Sequence, residues 1–161
     1  MKIIDLFDIA VAKSKGTDEY SVGDVPFVTN AEINNGVVRY VEPFEDDKVF
    51  EGPAICISGL GYATVHYGFF LPKGNGGDSC TILKPKGGLN QSELLYYAAL
   101  FNVLHGWRFS FGRKASRRRL EQLMLTPLHN KAPIVLLEEI EANNNLMSAL
   151  LAEKKAQLKS D

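Results

Sequence analysis

The C-terminal stretch from residue 133 to residue 158 constrains the fold most, because its sequence predicts one long helix. Pro133 fits the first turn of a helix, acidic residues stand near the start of the stretch, and lysines stand near its end. At 1.5 Å per residue the helix would be about 39 Å long. A small domain does not need a helix of that length, so we expect it to project or to pair with a partner.

Within this stretch, residues recur at the spacing of a coiled-coil seam. The predicted a and d positions are Leu137, Ile140, Asn144, Met147, Leu151 and Leu158. A buried Asn at an a position commonly fixes the register of a helix pair at some cost in stability. The run of three asparagines at 143–145 lowers helix propensity, and Lys154 falls at a d position. We expect a helix that binds a partner; a helix folded back on its own domain is the alternative.

The first ninety residues consist mostly of short β-prone segments separated by turn signals. Residues 2–11 suit a strand or a short helix, and Asn34-Asn35-Gly36 predicts a turn because Asn and Gly tolerate positive φ. Strands are predicted at 25–29, 37–41, 54–58, 63–67, 69–71 and 80–83, and the first two of them form a hairpin. Polar loops are predicted at 13–21, 42–47 and 73–78.

One helix is predicted after the strands, over residues 93–104, with Ser92 as its N-cap and Gly106 ending it. Its predicted apolar face is Leu94, Leu95, Ala98, Leu100, Phe101 and Leu104. Residues 120–125 then return the chain toward the core. The predicted fold is α+β: a mixed, strand-rich globular domain over residues 1–131, followed by one long C-terminal helix over residues 132–161.

Composition and spacing exclude several classes of protein. No apolar run reaches the roughly 20 residues needed to span a bilayer, and the N-terminal sequence is too acidic for a signal peptide. We therefore expect a cytoplasmic protein that does not bind membranes. Cys56 and Cys80 are predicted to be buried reduced thiols, with a disulfide as the alternative. His66, His105 and His129 are predicted to be structural.

Residues 107–120 are the most unusual stretch, with three aromatic and six cationic side chains in fourteen positions. The aromatic, β-prone part ends at Gly112, and the basic run follows at once. The net charge of the chain is −1, yet residues 61–131 hold 10 Lys and Arg against 3 Asp and Glu. Guanidinium groups at this density repel one another, which favours a polyanion such as DNA or RNA as partner. The alternative is a solvated helix face that the acidic first 60 residues balance.

The sequence offers no catalytic motif. Gly59-Leu60-Gly61 superficially resembles a dinucleotide-binding loop, but the third glycine is missing and strand-like residues follow, so a structural turn is expected. Asp46, Asp47 and Lys48 lie in an acidic loop, whereas a nuclease metal site needs acidic residues on neighbouring strands. We expect no enzyme activity, no cofactor and no metal.

Recognition is the remaining class of function. Basic side chains anchor phosphates, whereas Asn, Gln, Ser, Thr and Arg on loops can reach base edges in the major groove. The predicted DNA-binding residues of the basic stretch are Arg108, Arg113, Lys114, Arg117 and Arg118. Those of the polar loops are Lys13, Lys15, Thr29, Asn34, Asn35 and Lys73. Each loop taken alone is more often an ordinary surface turn.

An ordered series of motifs resembles the target-recognition domain of restriction-modification specificity subunits, in type I systems and their type IIB and IIG relatives. The series comprises Leu6-Phe7-Asp8-Ile9, Gly23, Pro26-Phe27-Val28-Thr29, Asn35-Gly36, Ile57-Ser58, Gly61, Tyr67, Phe70, Phe109-Ser110-Phe111-Gly112-Arg113-Lys114 and residues 120–127. The likeness covers about residues 3–127, and residues 109–114 are its most specific part.

The resemblance implies a mixed α/β domain that reads one half of a bipartite DNA sequence and docks on an adenine methyltransferase, followed by a helix that pairs with another specificity helix. It also implies that the chain has no activity alone. Such subunits usually carry two recognition domains and two helices, whereas this chain has one of each. It is then a half-subunit that homodimerises through the helix at 133–158, an excised domain, or an orphan protein that competes with the resident subunit for a methyltransferase.

We therefore expect a sequence-specific double-stranded DNA recognition module, a half specificity subunit that directs a restriction-modification adenine methyltransferase complex to its target. The alternative is an interaction protein that binds no DNA and docks on or inhibits a methyltransferase or restriction complex. In that case the basic stretch would meet an acidic protein surface.

Overall fold

The computed structural model describes residues 1–77, 79–128 and 131–160, and in the last range the side chains of residues 141–156. The chain divides into two units, Met1–Thr126 and Pro127–Asp161. The first unit holds strands and short helices, and the second is helical. The predicted α+β class, a strand-rich domain followed by one long helix, is confirmed.

One four-stranded sheet of the first unit is antiparallel throughout, with strand order β1-β8-β5-β6. Its strands are β1 (Phe7–Val11), β5 (Ala54–Ile57), β6 (Ala63–His66) and β8 (Thr81–Pro85). Every residue of β5 and β6 is buried, because the helix α2 (Gln91–Leu104) packs against both strands on one side. On the other side, Ala54 and Cys56 pack in one cluster with Val28, Phe50 and Phe70. A short helix, α1 (Ile3–Leu6), leads directly into β1.

A second four-stranded sheet has the order β3-β2-β7-β4. Its strands are β2 (Val22–Val28), β3 (Val37–Val41), β4 (Phe50–Glu51) and β7 (Phe69–Pro72). The predicted hairpin is confirmed: β2 and β3 are antiparallel, and the turn between them holds Asn34, Asn35 and Gly36 at φ of 49°, 55° and 78°. The two-residue β4 was missed, because only its pairing with β7 makes it a strand.

The helix α2 begins earlier than predicted. Its N-cap is Asn90, not Ser92: the Asn90 side chain accepts from the Glu93 N–H at 2.9 Å, and the Glu93 carboxylate accepts from the Asn90 N–H at 2.8 Å. This reciprocal capping satisfies backbone N–H groups that the first turn leaves open. The buried face consists of Leu94, Tyr97, Ala98 and Phe101, whereas the predicted members Leu95 and Leu104 are exposed.

The aromatic stretch after α2 is not a strand. It forms a 3₁₀ helix, Gly106–Arg108, followed by a tight turn, and the short helix α3 (Arg117–Leu120) comes next. The predicted return of residues 120–125 to the core is confirmed, since Leu120 and Leu125 are buried. Backbone hydrogen bonds from Ile3 to Leu123 and from Leu125 to Met1 hold this segment against the N-terminal residues.

The two cysteines are buried free thiols, as predicted. A hydrogen bond with Cys80, together with burial, holds the pKa of Cys56 well above its usual value. Burial lowers the pKa of His66 to about 4, and its Nε2 lies 2.8 Å from the Thr64 hydroxyl, so this histidine is neutral. His105 donates from Nε2 to the Met124 carbonyl at 2.7 Å, a structural role, and His129 lies outside the described residues.

The second unit contains one long helix, α4 (Lys131–Ser160), which confirms the predicted C-terminal helix. Among the described side chains, the predicted seam positions Asn144, Met147 and Leu151 are exposed, as are Leu146 and Leu150. The predicted seam positions Leu137, Ile140 and Leu158 lie outside the described side chains. None of the helices in the described part of the chain is both long and apolar enough to cross a membrane.

Candidate nucleic-acid interface

Two buried side chains anchor the basic stretch to the sheet. Phe109 is 8% exposed, and its ring stacks on Phe101 of α2 with ring centroids 6.2 Å apart. It fits there because Gly61 has φ of +88° and no side chain: a Cβ would lie 2.6 Å from the Phe109 ring. Ala115 is buried as well, donates its N–H to Gly59 and accepts from the Thr81 hydroxyl. The cations between these anchors are therefore held on a rigid base.

Four arginines line one open groove, which we call the basic groove. Its volume is about 680 Å³, and its lining residues are Arg108, Phe109, Arg113, Ser116, Arg118, Arg119, Gln122 and Leu123. Within the described residues, no carboxylate forms an ion pair with any of these arginines. Unneutralised guanidinium groups around one concave surface attract and hold anions, and their planar forks match the oxygens of phosphate.

The basic run divides between two sides of α3. Arg118 and Arg119 line the basic groove, whereas Arg117 lines a separate pocket with Asp8 and Lys86. The Arg117 Nε donates to the Glu121 carboxylate at 2.8 Å, so its charge is already paired. Of the predicted DNA-binding residues of the basic stretch, the groove thus contains Arg108, Arg113 and Arg118, and it does not contain Lys114 or Arg117.

Two groove residues were absent from the predicted set. Arg119 donates from Nη1 to the Lys114 carbonyl at 2.7 Å, which fixes its guanidinium beside the turn. Gln122, one turn later, adds an amide to the lining. The sequence places Arg119 in the basic run, but only the orientation of α3 shows that positions 118 and 119 face the groove while position 117 does not.

The structure brings three of the predicted loop lysines together at another place. Gly74 donates its N–H to the Ser14 hydroxyl at 2.7 Å, and a Cβ at Gly74 would lie 2.5 Å from the Lys13 Cα, so loops 13–17 and 73–77 pack closely. Lys13 is exposed, and Lys73 is half-buried. The Lys15 ammonium lies 3.8 Å from the centroid of the Phe44 ring. Asp78, the end of the predicted loop, lies outside the described residues.

Tyr20 links the loop at 13–17 to the acidic loop at 42–47. Its hydroxyl accepts from the Lys15 N–H at 2.7 Å and donates to the Asp47 carboxylate at 2.9 Å. Burial raises the pKa of Tyr20 to about 12, so the phenol stays protonated and keeps both hydrogen bonds. Asp47 also accepts from the Phe44 N–H at 2.8 Å. The acidic loop thus has a structural role through Asp47.

The asparagine turn lies against the strand β6. Asn35 donates from its side-chain amide to the Val65 carbonyl at 2.8 Å, while the Asn34 side chain is exposed. The Thr29 hydroxyl accepts from the Ala31 N–H at 3.3 Å. Glu32, in the same loop, lines a recess of about 350 Å³ together with Trp107 and Phe109. Phe109 lines both this recess and the basic groove, whereas Asn34 and Asn35 line a separate recess with Arg39 and Tyr40.

The glycine stretch that superficially resembles a dinucleotide-binding loop has a structural role. Gly59 to Gly61 form the turn of the antiparallel β5-β6 hairpin, where Gly61 donates its N–H to Ser58, so the predicted structural turn is confirmed. Among the described residues, no three His, Cys, Asp or Glu side chains are grouped as metal ligands would be.

Comparison with known proteins gives a family match and several similar solved structures. The model of the type I restriction modification DNA specificity domain matches residues 1–158. A chain solved in work on complex assembly and conformational transition of the type I restriction-modification system has a TM-score of 0.62 and 21% identity, and the match covers 99% of this chain and 42% of that one. No curated protein sequence matches the chain significantly.

Two specificity subunits share the fold. For the HsdS subunit from Thermoanaerobacter tengcongensis the TM-score is 0.62 and the identity 17%, with 93% of this chain and 39% of that chain covered. For the type I restriction-modification S subunit from M. genitalium the TM-score is 0.57 and the identity 14%, with 94% and 42% covered. The chain thus spans about two fifths of the length of these solved chains.

Proposed function

The chain belongs to the family of type I restriction modification DNA specificity domains, and from this we propose that it is a sequence-specific double-stranded DNA recognition module. It is a half specificity subunit that directs a restriction-modification adenine methyltransferase complex to its target and has no catalytic activity alone. Residues 1–131 recognise DNA, and residues 132–161 pair with a partner helix. The basic groove is the observation that carries the proposal.

The basic groove binds the DNA backbone. Arg108, Arg113 and Arg118 present exposed guanidinium groups, each of which offers several N–H donors in a plane that matches two phosphate oxygens. Such contacts set the position and orientation of the protein on the duplex, but they carry no sequence information. Sequence must therefore be read elsewhere on the same surface.

The turn at 34–36 is the base reader in this proposal. Asn34 has an exposed amide that offers a donor and an acceptor together, which is the pattern that recognises adenine in the major groove. Its neighbour Asn35 fixes the turn by donating to Val65, so Asn34 is presented on a rigid support. Thr29 and the loop lysines Lys13, Lys15 and Lys73 contribute further contacts to backbone or bases.

The helix α4 joins two copies of the chain. Its described side chains include four exposed large apolar residues, Leu146, Met147, Leu150 and Leu151, in two pairs one turn apart. A stripe of this kind is buried when two helices associate. A homodimer of this form supplies two recognition domains, the number that specificity subunits usually carry.

One observation favours the alternative, a protein that docks on or inhibits a methyltransferase complex without binding DNA. The outward face of α2 carries Leu95, Ala99 and Val103, all exposed, and Glu93 is the one charged residue in the fourteen of this helix. An uncharged apolar helix face suits a protein partner better than DNA. The two functions are also compatible, because a specificity subunit that binds DNA needs a second surface that binds its methyltransferase.

The proposal is tested by mapping adenine methylation. The full chain is mixed with the methyltransferase subunit of a type I system from the same genome, and methylated adenines on plasmid DNA are located by sequencing. We expect methylation confined to one sequence motif and dependent on the chain. The alternative function predicts that the chain binds the methyltransferase and lowers or leaves unchanged the methylation that the resident specificity subunit directs.

A further inference from the structure

The tight turn between Phe109 and Lys114 presents one aromatic ring to solvent. Ser110 and Arg113 exchange two backbone hydrogen bonds of 3.0 Å, which close a two-residue turn with Phe111 and Gly112 at its tip. Phe111 is 78% exposed, and a Cβ added to Gly112 would meet nothing within 4 Å. The tip of the turn is therefore exposed to solvent.

The tip is held in place and surrounded by positive charge. Phe109, two residues before Phe111, is buried against Gly61, and Ala115 on the other side is buried and bonded to Gly59. The Lys114 ammonium lies 4.2 Å from the centroid of the Phe111 ring, and Arg113 at the base of the turn lines the basic groove. An exposed apolar ring among cations matches a ligand that is apolar where it meets the ring and anionic around it.

Resting on the proposed function, we propose that Phe111 is a wedge that inserts into the base stack of the DNA while Arg113 and Lys114 hold the flanking phosphates. Base pairs are stacked apolar surfaces between two lines of phosphates, so they fit this pattern of ring and charge. Proteins that bend or open duplex DNA insert Phe, Leu, Ile, Met or Pro side chains between base steps in this way. Because the turn is already ordered, little conformational entropy is lost on insertion.

A protein partner is a less fitting occupant of this turn. Cation-flanked aromatic rings do occur in protein interfaces, but the cores of such interfaces are depleted in charge. Around Phe111 the charge is concentrated, because Arg113 and Lys114 both lie within three residues of it and Arg113 shares the basic groove with Arg108. The charge of the surroundings therefore favours nucleic acid.

The test uses two duplexes of mixed sequence, each about 20 base pairs or two helical turns, one intact and one with a single central abasic site. An abasic site removes a stacked base, so the unstacking that a wedge requires is already made there. We expect the full chain to bind the abasic duplex about tenfold more tightly or better. Phe111→Ala should lose this preference, and Phe111→Leu should keep most of it, because Leu is also an effective wedge.

Phe69→Ala is the matched control, since Phe69 is 60% exposed and lies in β7 of the second sheet, whereas the Phe111 turn is anchored to the first sheet. It should retain the preference, and all three variants should unfold at the same denaturant concentration as the unchanged chain. Equal binding of both duplexes by the unchanged chain would overturn the wedge and leave the proposed function standing. No binding to either duplex, by the chain alone or together with a methyltransferase subunit, would overturn both. Loss of methyltransferase binding in Phe111→Ala, with the abasic preference intact, would instead assign the ring to a protein interface.

Discussion

Replacing Arg113 by Ala tests whether the basic groove holds phosphates. Arg113 is exposed, lines the groove, and forms no ion pair within the described residues, so its charge is available to a ligand. Its side chain supports no other part of the fold that the structure describes. We therefore expect Arg113→Ala to leave stability unchanged within about 0.5 kcal/mol, as for other surface substitutions.

The expected loss of affinity follows from counterion release. Each phosphate contact contributes about 0.9 to the slope of log K against log salt concentration on duplex DNA. One lost contact at about 0.1 M salt therefore lowers affinity about eightfold, or about 1.2 kcal/mol. Removing Arg118 as well should lower the slope by about 1.8 in total, provided that the two sites are independent. Fluorescence anisotropy of a labelled duplex, titrated at several salt concentrations, measures both quantities.

Arg117→Ala is the matched control, because it removes the same charge from the same short segment. Arg117 is paired with Glu121 and lines a different pocket, so its loss should change the slope much less than the loss of Arg113. If both variants lower the slope equally, the basic groove has no special role and binding reflects overall charge. If neither variant changes the slope, the prediction that this stretch binds phosphates is wrong.

Three further predictions concern the base reader and the support of the site. Asn34→Gly keeps the positive φ of the turn but removes the side-chain amide. Sequencing of bound duplexes should therefore show a change at one position of the selected DNA motif. Denaturation should show an unchanged unfolding free energy. Gly61→Ala places a Cβ within 3 Å of the Phe109 ring at a φ of +88°, so denaturation should show a loss of about 2–4 kcal/mol and DNA binding should weaken with it. Burial lowers the pKa of His66 from 6.5 to about 4 in the folded state, so the unfolded chain binds more protons between these values and stability falls as pH decreases from 6.5 to 4. His66→Gln should remove about 3 kcal/mol of that pH dependence, and an unchanged pH profile of the unfolding free energy would refute the assignment.

Elements with local signals were predictable from the sequence. The turn at 34–36 rests on residues that tolerate positive φ, and the pattern from 93 to 104 indicated a helix. The true N-cap carried a signal as well, since Asn90 stands three residues before Glu93 in the spacing of a capping box. Ser92 was the predicted N-cap, and its position inside the first turn shows that the polar residue nearest to the apolar pattern is not always the cap.

Elements that depend on tertiary packing were not predictable. The β-prone run at 107–111 becomes a 3₁₀ helix and a turn because Phe109 enters the space that Gly61 leaves open on the β5-β6 hairpin. Leu95 and Leu104 are exposed because they lie outside the face of α2 that is buried, and periodicity alone does not show which residues that face includes.

The same limit applies to the site. Sequence placed the cations in one basic run, whereas the orientation of α3 separates Arg117 from Arg118 and Arg119. Asn34 and Asn35 were equivalent candidates in the sequence, and both are exposed, but only the Asn35 amide is used to hold the turn, by donating to the Val65 carbonyl. Residue type and spacing therefore identified the candidate residues, and the direction of each side chain shows which of them are available to a ligand.

Selection of bound duplexes from a randomised DNA pool tests the central claim most directly. The full chain is used with and without an adenine methyltransferase subunit, at two salt concentrations, and the retained DNA is sequenced. Base readout predicts one enriched short motif that persists at the higher salt, because base contacts release few counterions whereas phosphate contacts release many. Retention without enrichment, or no retention, under both conditions would contradict sequence-specific recognition.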